Sequence, residues 1–556
     1  MRVLAACLAL SLLVGCGSGF EATGGGDSQA PPVSIVAASR VIDENGGTLA
    51  VTGSSPIAGT QAVFPAGALS GATTVTLSHI TGAAGVPGDV LVAELGPAGT
   101  VFSQPVTVTI KVLPQYLTSR GISDPTTLKV VALSAGAAGE TLRTVSLDLS
   151  KGTVSAQATR AGRFAVLGYT NATLSGTYGF NFTIMDARFG SNTIGVDIPE
   201  LPFDGTFEVP FPDFAFASEM GTITFDGAGH YSWSGIRNNG GTPVAVSGGG
   251  IYSVSVDGSM TLDIGPVGNV LAGGSAFVLV APTGDVVELG VGVKIAGGYS
   301  NASLRGSYGV AHYSSDAAAG PLDTIRLNVR RTPFNDAVDV PFPAYAFTTE
   351  LRSATFDGAG NYTWSGIRNR GGRSSSVTGS GTYAVAGDGS LTLDSGLTGH
   401  LLADGSTFIL TAASGQPIEI GVGLRRGGTF SAASLGGTYA LMFHSSDPAA
   451  AAGTIDITIP RTPFSGEFDV PFPLPAFSTE RRSVTFNGAG SYTWSGIRNQ
   501  GGVSSPVSGN GTYAVAGDGT LTTDGGLAGY VLAGGSTFIL SSTSGPALRI
   551  GVGILR

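Results

Sequence analysis

Residues 231–238 read Y-S-W-S-G-I-R-N, and almost the same eight residues return as Y-T-W-S-G-I-R-N at 362–369 and at 492–499. Each occurrence carries one of the chain's three tryptophans: Trp233, Trp364 and Trp494. These tryptophans are 131 and 130 residues apart, a period far longer than the roughly 20 to 50 residues of solenoid repeats or propeller blades. Most of the chain is therefore predicted to consist of three domain-sized copies of one unit.

Composition and alternation predict that the copies are built from β-strands. The chain has 88 glycines in 556 residues and only 12% charged residues, against about 7% glycine and about 25% charge in typical domains. The glycines separate short alternating runs such as I-Y-S-V-S-V at 251–256, a pattern typical of strands joined by tight turns. A D-G pair recurs at Asp257, Asp388 and Asp518 and favours two-residue hairpin turns. We expect roughly seven to nine strands in each copy.

Each copy is predicted to close into a small antiparallel β-barrel. The copies occupy 171–298, 301–428 and 431–556. Closure removes the two open edges that a meander of this length would otherwise expose. Each copy opens with G-T-Y or G-S-Y, and its apolar last strand ends at Lys294, Arg425 or Arg556. In these features the copies resemble calycins, the lipocalin and avidin group, and the resemblance implies that the first strand pairs with the last.

One hairpin can be placed in register from the sequence alone. If Phe225 lies opposite Tyr231 across the D-G-A-G-H turn, the apolar residues share one face, and Glu219 lies opposite Arg237. The same register gives a Glu opposite an Arg in the other two copies. The predicted structural ion pairs are Glu219 with Arg237, Glu350 with Arg368, and Glu480 with Arg498.

The repeated Trp, Arg and Asn residues are also the candidate ligand-binding residues. They are Trp233, Arg237, Asn238, Trp364, Arg368, Asn369, Trp494, Arg498 and Asn499. An aromatic face beside bidentate donors is a combination found in carbohydrate sites. The alternative, which we favour, is a core tryptophan with a cross-strand ion pair at one end of the barrel.

A second repeated element is the run V-P-F-P, which begins at Val209, Val340 and Val470. Because proline lacks a ladder donor, the run is expected to form an edge or a crossing loop rather than a central strand. We expect its phenylalanines, Phe211, Phe214 and Phe216 in the first copy, to plug the barrel mouth. An exposed aromatic patch would instead indicate an interaction surface, towards a partner or a lipid.

The segment 33–170 has a different pattern, with alternating runs such as V-T-V-T-I-K-V that predict a β-sandwich. It contains F-P-A-G-A-L from Phe64 and V-F-S-Q-P-V from Val101. The segment resembles the ZU-five domain of zona-occludens proteins, netrin receptors and ankyrins, which implies a sandwich used for protein contacts. The resemblance rests on Pro65, Gly67, Ala68, Leu69, Phe102, Pro105 and Val106. Self-cleavage, known where that family has His-Phe-Ser, is not expected because Ile80 follows His79.

The N-terminus predicts export and lipid attachment. Residues 1–15 combine Arg2 with an apolar run too short to span a bilayer, as in a secretory leader. The sequence L-V-G-C that ends at Cys16 resembles the bacterial lipoprotein box, which implies that Cys16 carries the lipid. Residues 16–32 are a Gly/Ala/Pro-containing tether. By the same resemblance, Gly17 favours the outer membrane, so we expect a lipid-anchored protein of the bacterial cell envelope with its domains outside the cytoplasm.

Charge and missing motifs exclude several classes of function. Removal of Arg2 with the leader leaves 27 basic and 38 acidic residues, a net charge of −11, which argues against a nucleic-acid partner. Cys16 is then the one cysteine, so no internal disulfide is expected. The histidines do not recur at equivalent positions in the copies, which argues against a zinc or copper site. We find no nucleophile elbow or P-loop and predict no catalytic residue and no cofactor.

The sequence therefore predicts a non-catalytic binding or adhesion module. It would be attached to the membrane through an N-terminal lipid and would contact a protein or a polysaccharide, with repetition raising avidity. The alternative is a carrier of small apolar ligands inside lipocalin-like barrels. A single transmembrane pore is not favoured, because the repeats are separate and tryptophan is too scarce for interfacial girdles. Filled interiors would favour contact over carriage.

Overall fold

A computed structural model describes residues 33–556 with short gaps, and these residues form a β-sandwich followed by three β-barrels. The gaps are 82–89, 120–127, 134–139, 149, 199–204, 256, 272–273, 317–322, 332–333, 343–345, 416 and 460–465. The leader, Cys16 and the tether at 16–32 lie outside the described residues. Among the described residues, α1 at Pro114–Ser119 is the one α-helix. The predicted all-β fold with a sandwich and three barrels is confirmed.

The N-terminal sandwich consists of two antiparallel sheets that enclose one apolar core. Its strands are β1 Val33–Ile42, β2 Gly47–Ala50, β3 Gln61–Phe64, β4 Thr73–Thr81, β5 Val92–Gly96, β6 Val101–Lys111, β7 Lys129–Leu133, β8 Glu140–Thr141, β9 Arg143–Asp148, β10 Thr153–Arg160 and β11 Arg163–Leu167. One sheet has the order β1-β4-β5-β11-β7-β8 and the other β2-β3-β6-β10-β9. Phe64 and Phe102 meet edge to face in the core, with ring centroids 5.7 Å apart.

Each of the three copies forms a closed barrel of eight strands. Barrel 1 contains β12 Ser175–Ile198, β13 Gly205–Asp226, β14 His230–Asn239, β15 Thr242–Val254, β16 Ser259–Leu262, β17 Val267–Val270, β18 Ala276–Val280 and β19 Val286–Lys294. Barrel 2 contains β20 Arg305–Asp316, β23 Ala346–Asp357, β24 Asn361–Arg370, β25 Arg373–Val385, β26 Ser390–Leu393, β27 Leu397–Leu401, β28 Thr407–Ala412 and β29 Ile418–Arg425. Barrel 3 contains β30 Gly436–Ile459, β31 Gly466–Asn487, β32 Ser491–Gln500, β33 Val503–Val515, β34 Thr520–Thr523, β35 Leu527–Val531, β36 Thr537–Ser542 and β37 Leu548–Leu555.

The first strand of each barrel pairs with its last, as the resemblance to calycins implies. Tyr178 lies opposite Lys294 in barrel 1, and the equivalent tyrosines of barrels 2 and 3 pair in the same way with β29 and β37. Tyr178 also fills one end of its barrel, where its hydroxyl donates to the carbonyl oxygen of Gly274 at 2.6 Å. Its ring contacts Phe225 at 5.5 Å and Phe277 at 5.7 Å between centroids. The tyrosine of the repeated G-T-Y or G-S-Y thus fills one end of each barrel.

A long hairpin projects beyond each barrel. In barrel 1, β12 and β13 remain paired to Ile198 and Gly205, although β19 stops pairing at Asp186. The equivalent ribbon of the second copy is a separate pair, β21 Asp323–Arg331 and β22 Phe334–Phe342. The V-P-F-P run lies in this ribbon, with Val209 opposite Ile194. The ribbon is thus made of two edge strands, where proline is tolerated; the side chains of Phe211 and Phe214 lie outside the described residues.

The three barrels form a closed ring through equivalent contacts. The hydroxyl of Ser218 in barrel 1 donates to the carbonyl oxygen of Ala412 in barrel 2 at 2.7 Å. Thr349 of barrel 2 donates in the same way to Ser542 of barrel 3 at 2.6 Å. Thr479 of barrel 3 donates to Ala281 of barrel 1 at 2.8 Å. A head-to-tail contact that returns to its start after three copies is an internal threefold symmetry.

An apolar core shared by all three barrels lies on the axis of this ring. Phe216, Phe347 and Phe477, one from each copy, contact one another with ring centroids 5.4 to 5.9 Å apart. The cluster around them draws on the outer faces of β18, β19 and their equivalents. The sequence led us to expect that Phe216 plugs the mouth of its barrel, and this expectation is wrong. Its strand position places it on the outer face of the wall, where it joins the barrels.

Side chains of matched size fit together where the barrels meet. A β-carbon added at Gly309 of barrel 2 would lie 2.1 Å from the ring of Tyr530 in barrel 3. Gly179 of barrel 1 likewise accommodates the ring of His400 in barrel 2. In the third junction the glycine is replaced by Ala440 and the ring by the smaller Asn269. The small residue on one barrel and the large residue on the next thus form complementary pairs.

Candidate functional site

The candidate site is built on the β13–β14 hairpin, which has the predicted register. Phe225 lies opposite Tyr231 and Glu219 lies opposite Arg237. At the turn, one carboxylate oxygen of Asp226 accepts from three backbone amides at 2.7 to 2.9 Å. These bonds, led by those from His230 and Ala228, lower the pKa of Asp226 to about 2. In barrel 3 the uncharged Asn487 accepts equivalent hydrogen bonds from backbone amides. The D-G-A-G motif therefore stabilises a turn.

The inner face of this hairpin carries tryptophan, arginine and glutamate. Arg237 and Glu219 form an ion pair with 2.7 Å between Nη2 and Oε2. The equivalent pairs are Arg368 with Glu350 at 2.5 Å and Arg498 with Glu480 at 2.7 Å. The glutamate side chains are nearly buried, whereas the three arginines are about one third exposed or somewhat more. The tryptophans are partly buried and pack on the interior clusters.

The asparagines do not belong to the same site as the tryptophans and arginines. Asn238 is buried, and its Nδ2 donates to the carbonyl oxygen of Gly415 in barrel 2 at 2.9 Å. Asn369 and Asn499 donate to the next barrel in the same way, each at 3.0 Å. Alternation along the strand places the asparagine on the outer face and the arginine before it on the inner face. Asn238, Asn369 and Asn499 thus join the barrels, on the opposite strand face from the arginines, and ligand binding by them stays a prediction.

Barrels 2 and 3 have a second arginine that covers the tryptophan. The guanidinium of Arg352 lies 4.1 Å from the ring centroid of Trp364, and that of Arg482 lies 3.8 Å from that of Trp494. Arg352 also donates from Nε to Glu350 Oε2 at 2.5 Å. Arg482 is paired with Glu480 in the same manner. In both barrels one glutamate thus accepts hydrogen bonds from two arginines. One of these arginines also packs against the indole face.

Barrel 1 lacks this second arginine. Gly221 occupies the position of Arg352, since it pairs with Gly235 as Arg352 pairs with Gly366. The space at this end of barrel 1 is a cavity of about 80 Å³. Trp233 and Phe182 form its aromatic wall, and Glu219 and Arg237 form its polar wall. The cavity exceeds the roughly 10 to 15 Å³ that a single water needs, so it has room for a group of several atoms.

A second carboxyl, Glu288 of β19, also lines this cavity. Burial raises its pKa to about 7, because the attraction of Arg237 only partly offsets burial and the charge of Glu219 adds to it. The equivalent residue is Glu419 in barrel 2 and Arg549 in barrel 3. Barrel 2 therefore has two carboxyls and two arginines at this end. Barrel 1 has the same two carboxyls with Arg237 alone.

The glutamates of barrels 1 and 2 respond to this difference in charge. In barrel 1, burial raises the pKa of Glu219 above its usual value despite the neighbouring Arg237. In barrel 2, burial acts in the same direction on Glu350, but hydrogen bonds and charge from Arg352 and Arg368 lower its pKa. His312, also in barrel 2, has its pKa lowered to about 3, chiefly by burial and then by Arg352. Among the carboxyls, the second arginine thus accompanies a lowered pKa at Glu350 alone, because burial raises the pKa of the second carboxyl to about 7 in both barrels, at Glu288 and at Glu419.

The sequence contains these residues, but the alternation within one copy does not single them out. Comparison of the copies aligns E-M-G-T at Glu219, E-L-R-S at Glu350 and E-R-R-S at Glu480. The third position is Gly, Arg and Arg. A residue-by-residue alignment of the three copies therefore distinguishes barrel 1 from the other two, and this is the signal by which sequence reasoning could have found the cavity.

Metal clusters and membrane-spanning helices are both missing from the described residues. Between residues 33 and 556, outside the gaps given above, no three His, Cys, Asp or Glu residues gather closely enough to hold a metal ion. None of the helices in that part of the chain is long and apolar enough to cross a membrane.

Comparisons with known proteins give only distant likenesses. No protein-family model and no curated protein sequence matches the chain. The isotype 1 transferrin binding protein B of serogroup B Neisseria meningitidis aligns over 83% of this chain and 93% of its own, with 10% identity and a TM-score of 0.17. The CymD monoaromatic hydrocarbon channel covers 69% of this chain and 87% of its own at 10% identity and a TM-score of 0.11. The Ralstonia pickettii toluene transporter TbuX covers 69% and 90% at 8% identity and a TM-score of 0.10. Likenesses of this order do not bear on function.

Proposed function

We propose that this chain is a non-catalytic binding or adhesion module of the bacterial cell envelope, anchored by a lipid on Cys16. The leader and the L-V-G-C sequence support the anchor. The N-terminal sandwich, which resembles a ZU-five domain in sequence, would contribute a further protein-contact surface. The ring of barrels would present three equivalent surfaces to a protein or polysaccharide.

The observation that carries this proposal is that described side chains occupy both ends of barrels 2 and 3, while barrel 1 has a small cavity at one end. Aromatic clusters occupy one end of each barrel, and arginines cover the tryptophans at the other end of barrels 2 and 3. The cavity in barrel 1, about 80 Å³, is well below the roughly 300 to 1,000 Å³ of pockets that enclose drug-sized ligands. Contact through outer surfaces therefore accounts for three large barrels better than carriage of apolar molecules does.

The outward surface is the β14–β15 hairpin and its two equivalents. An isoleucine is exposed at the same position in each: Ile236, Ile367 and Ile497, with relative residue accessibilities of 42%, 43% and 52%. Single exposed apolar residues are common on protein surfaces. Here the internal threefold symmetry repeats the residue on one closed ring, so three weak contacts would act together and raise avidity.

Co-sedimentation of cells tests the proposal. Bacteria that display the full chain are mixed with labelled partner cells and compared with bacteria carrying Cys16→Ser, whose chain lacks the lipid attachment site. We expect adhesion in the first case and its loss in the second, and mass spectrometry should find the acyl groups on Cys16. Equal sedimentation with and without the chain, or an unmodified Cys16, would argue against this function.

A triple variant then locates the contact surface. Ile236→Ser, Ile367→Ser and Ile497→Ser together should reduce adhesion far more than any one alone, since the loss of avidity compounds. Val101→Ser, on the exposed surface of the sandwich, is the control and should leave adhesion by the barrels unchanged. Extraction of the purified chain with organic solvent should release no stoichiometric apolar ligand. Release of one such ligand per barrel would favour the carrier instead.

A further inference from the structure

Barrels 2 and 3 show what the Trp–Glu end of a barrel binds when it is occupied. In each, a guanidinium group of the chain itself lies on the indole face and bonds to the buried glutamate. The indole supplies the negative face of its ring and the carboxylate supplies a charge-assisted hydrogen bond. The tryptophan and the buried glutamate that line the cavity of barrel 1 thus have counterparts that hold a guanidinium group in both sister barrels.

Barrel 1 keeps the tryptophan and both carboxyls of barrel 2 and lacks the second arginine, and Phe180, at the position of Val310, stands edge-on to Trp233 with ring centroids 6.2 Å apart. Trp233 and Glu219 are in the positions of Trp364 and Glu350, and Glu288 is in the position of Glu419. Gly221 contributes no side chain where barrel 2 has Arg352. The result is an open space bounded by an aromatic face and two carboxyls, with Arg237 already engaged by Glu219.

We propose that the cavity of barrel 1 binds a guanidinium group between the indole of Trp233 and the carboxylates of Glu219 and Glu288. The inference rests on the proposed binding role of the chain and names the ligand chemistry for one of its barrels. The volume of about 80 Å³ suits a head group of this size rather than a larger molecule. The cation would be presented by a free small molecule or by an arginine of a partner peptide.

The three tryptophans provide the readout, since there is one in each barrel. The full chain without its leader is labelled with nitrogen-15 at the indoles, which gives three N–H cross-peaks, and is titrated with methylguanidinium chloride. We expect a saturable shift of the Trp233 peak alone, because the chain's own arginines already cover Trp364 and Trp494. N-methylurea, which has nearly the same shape and no charge, is the control and should cause no such shift.

Two variants sharpen the assignment. Glu288→Gln removes one carboxylate with little change in shape and should weaken binding of methylguanidinium by about tenfold. Arg352→Gly in barrel 2 recreates the arrangement of barrel 1 and should make the Trp364 peak respond as well. That variant should also regain stability when methylguanidinium is added, whereas N-methylurea should not stabilise it.

The pH dependence gives an independent check. The ionisable groups that face the cavity are Glu219, Glu288, Arg237 and Tyr231. Because the pKa of Glu288 is about 7, a bound cation favours its ionised form, and affinity should rise between about pH 6 and pH 8. In Glu288→Gln this rise should largely disappear.

A capped Gly-Arg-Gly peptide distinguishes the source of the cation. Tighter binding of the peptide than of methylguanidinium supports a partner arginine, and binding of methylguanidinium alone supports a free cation. The absence of a saturable Trp233 shift with either probe, or an equal shift with N-methylurea, would overturn the proposal. The titration is independent of the cell assay, so loss of adhesion by cells would remove the adhesion role and leave the cation site in place.

Discussion

The two walls of each barrel differ in what covers their outer faces. In barrel 2 the outward wall is β24, whose residues alternate between the barrel interior and a largely exposed outer face. The inward wall includes β28, where all six residues are buried, and β29, where only Glu419 and Arg425 are partly exposed. The inward strands are buried on both faces because one face packs inside the barrel and the other faces the shared core.

This difference shows that the apolar outer wall of each barrel contributes to a core shared by all three barrels. Each barrel satisfies its backbone hydrogen bonds by closure, yet leaves an apolar outer surface on one side. The ring covers that surface with the two neighbouring barrels. The stability of the three copies is therefore coupled through the inward walls, while the outward walls are free to vary.

The largest expected effect comes from the axis of the ring. Phe347→Ala removes a buried ring that contacts both Phe216 and Phe477, and we expect the free energy of unfolding to fall by about 3 to 5 kcal/mol. Urea unfolding followed by tryptophan fluorescence measures this. Ile367→Ala, on the exposed outward wall of the same barrel, is the control and should change stability by no more than about 0.5 kcal/mol. Equal effects of the two substitutions would contradict the contrast between the walls.

The next effect concerns a matched pair at a barrel junction. Gly309→Ala would place a methyl group 2.1 Å from the ring of Tyr530, and such overpacking should cost about 1 to 3 kcal/mol. Tyr530→Ala in addition should relieve the clash, so the double variant should be more stable than the sum of the single effects predicts. Gly387→Ala, where a β-carbon has no atom within 4 Å, should be nearly neutral. Additive effects of Gly309→Ala and Tyr530→Ala would argue against direct packing.

Acid should weaken the junction through His444. This buried ring stands edge-on to Tyr313 of barrel 2, with centroids 4.8 Å apart, and burial lowers its pKa to about 3. Because the folded pKa lies below the ordinary value of about 6.5, the unfolded chain binds the proton more readily. Stability from His444 is therefore present above about pH 6.5 and is lost as the pH falls towards 3, by about 1.4 kcal/mol per pH unit.

His444→Phe should remove this part of the acid dependence. The measurement is the difference in urea midpoint between the variant and the original chain from neutral to acid pH, with His312 present in both. The difference should shift in favour of the variant as the pH falls. A constant difference over this range would show that His444 takes up its proton without disturbing the junction.

The smallest effect is expected from the ion pairs on the rim of the ring. Arg556 pairs with Asp257 of barrel 1 and Arg426 pairs with Asp518 of barrel 3, and all four residues are at least partly exposed. Arg556→Ala should therefore cost only about 0.2 to 1 kcal/mol. The loss should shrink in high salt, where exposed charges are screened. At the third junction Ile295 occupies the arginine position, so Ile295→Ala should show no salt dependence.

Much of each barrel was predictable from one copy of the sequence. The register of β13 with β14 followed from keeping Phe225, Ile223, Tyr231 and Trp233 on one face, and closure followed from the need to remove open edges. The ring was harder to predict, because pairing within a copy does not say what covers its outer face. The indication was nevertheless present in runs such as T-F-I-L-T-A at Thr407–Ala412, where the alternation of β24 gives way to nearly continuous apolar residues.

The candidate site was only partly predictable for a similar reason. Trp233 and Arg237 share the inner face by alternation, but treating Asn238 as their neighbour ignored that alternation. The role of Gly221 needed a comparison with Arg352 and Arg482, since a glycine in a strand has no chemistry of its own. The difference between the copies, rather than their similarity, therefore pointed to the cavity.

Ring closure also constrains how the protein is made. The contact of Thr479 with Ala281 joins the last copy to the first, so the part of barrel 1 that faces barrel 3 stays uncovered until the last copy has folded. During synthesis, the first two copies would expose apolar surfaces, which favours aggregation. Folding of barrel 3 covers these surfaces. A truncated chain that lacks barrel 3 should therefore be recovered mainly as aggregates or degradation products.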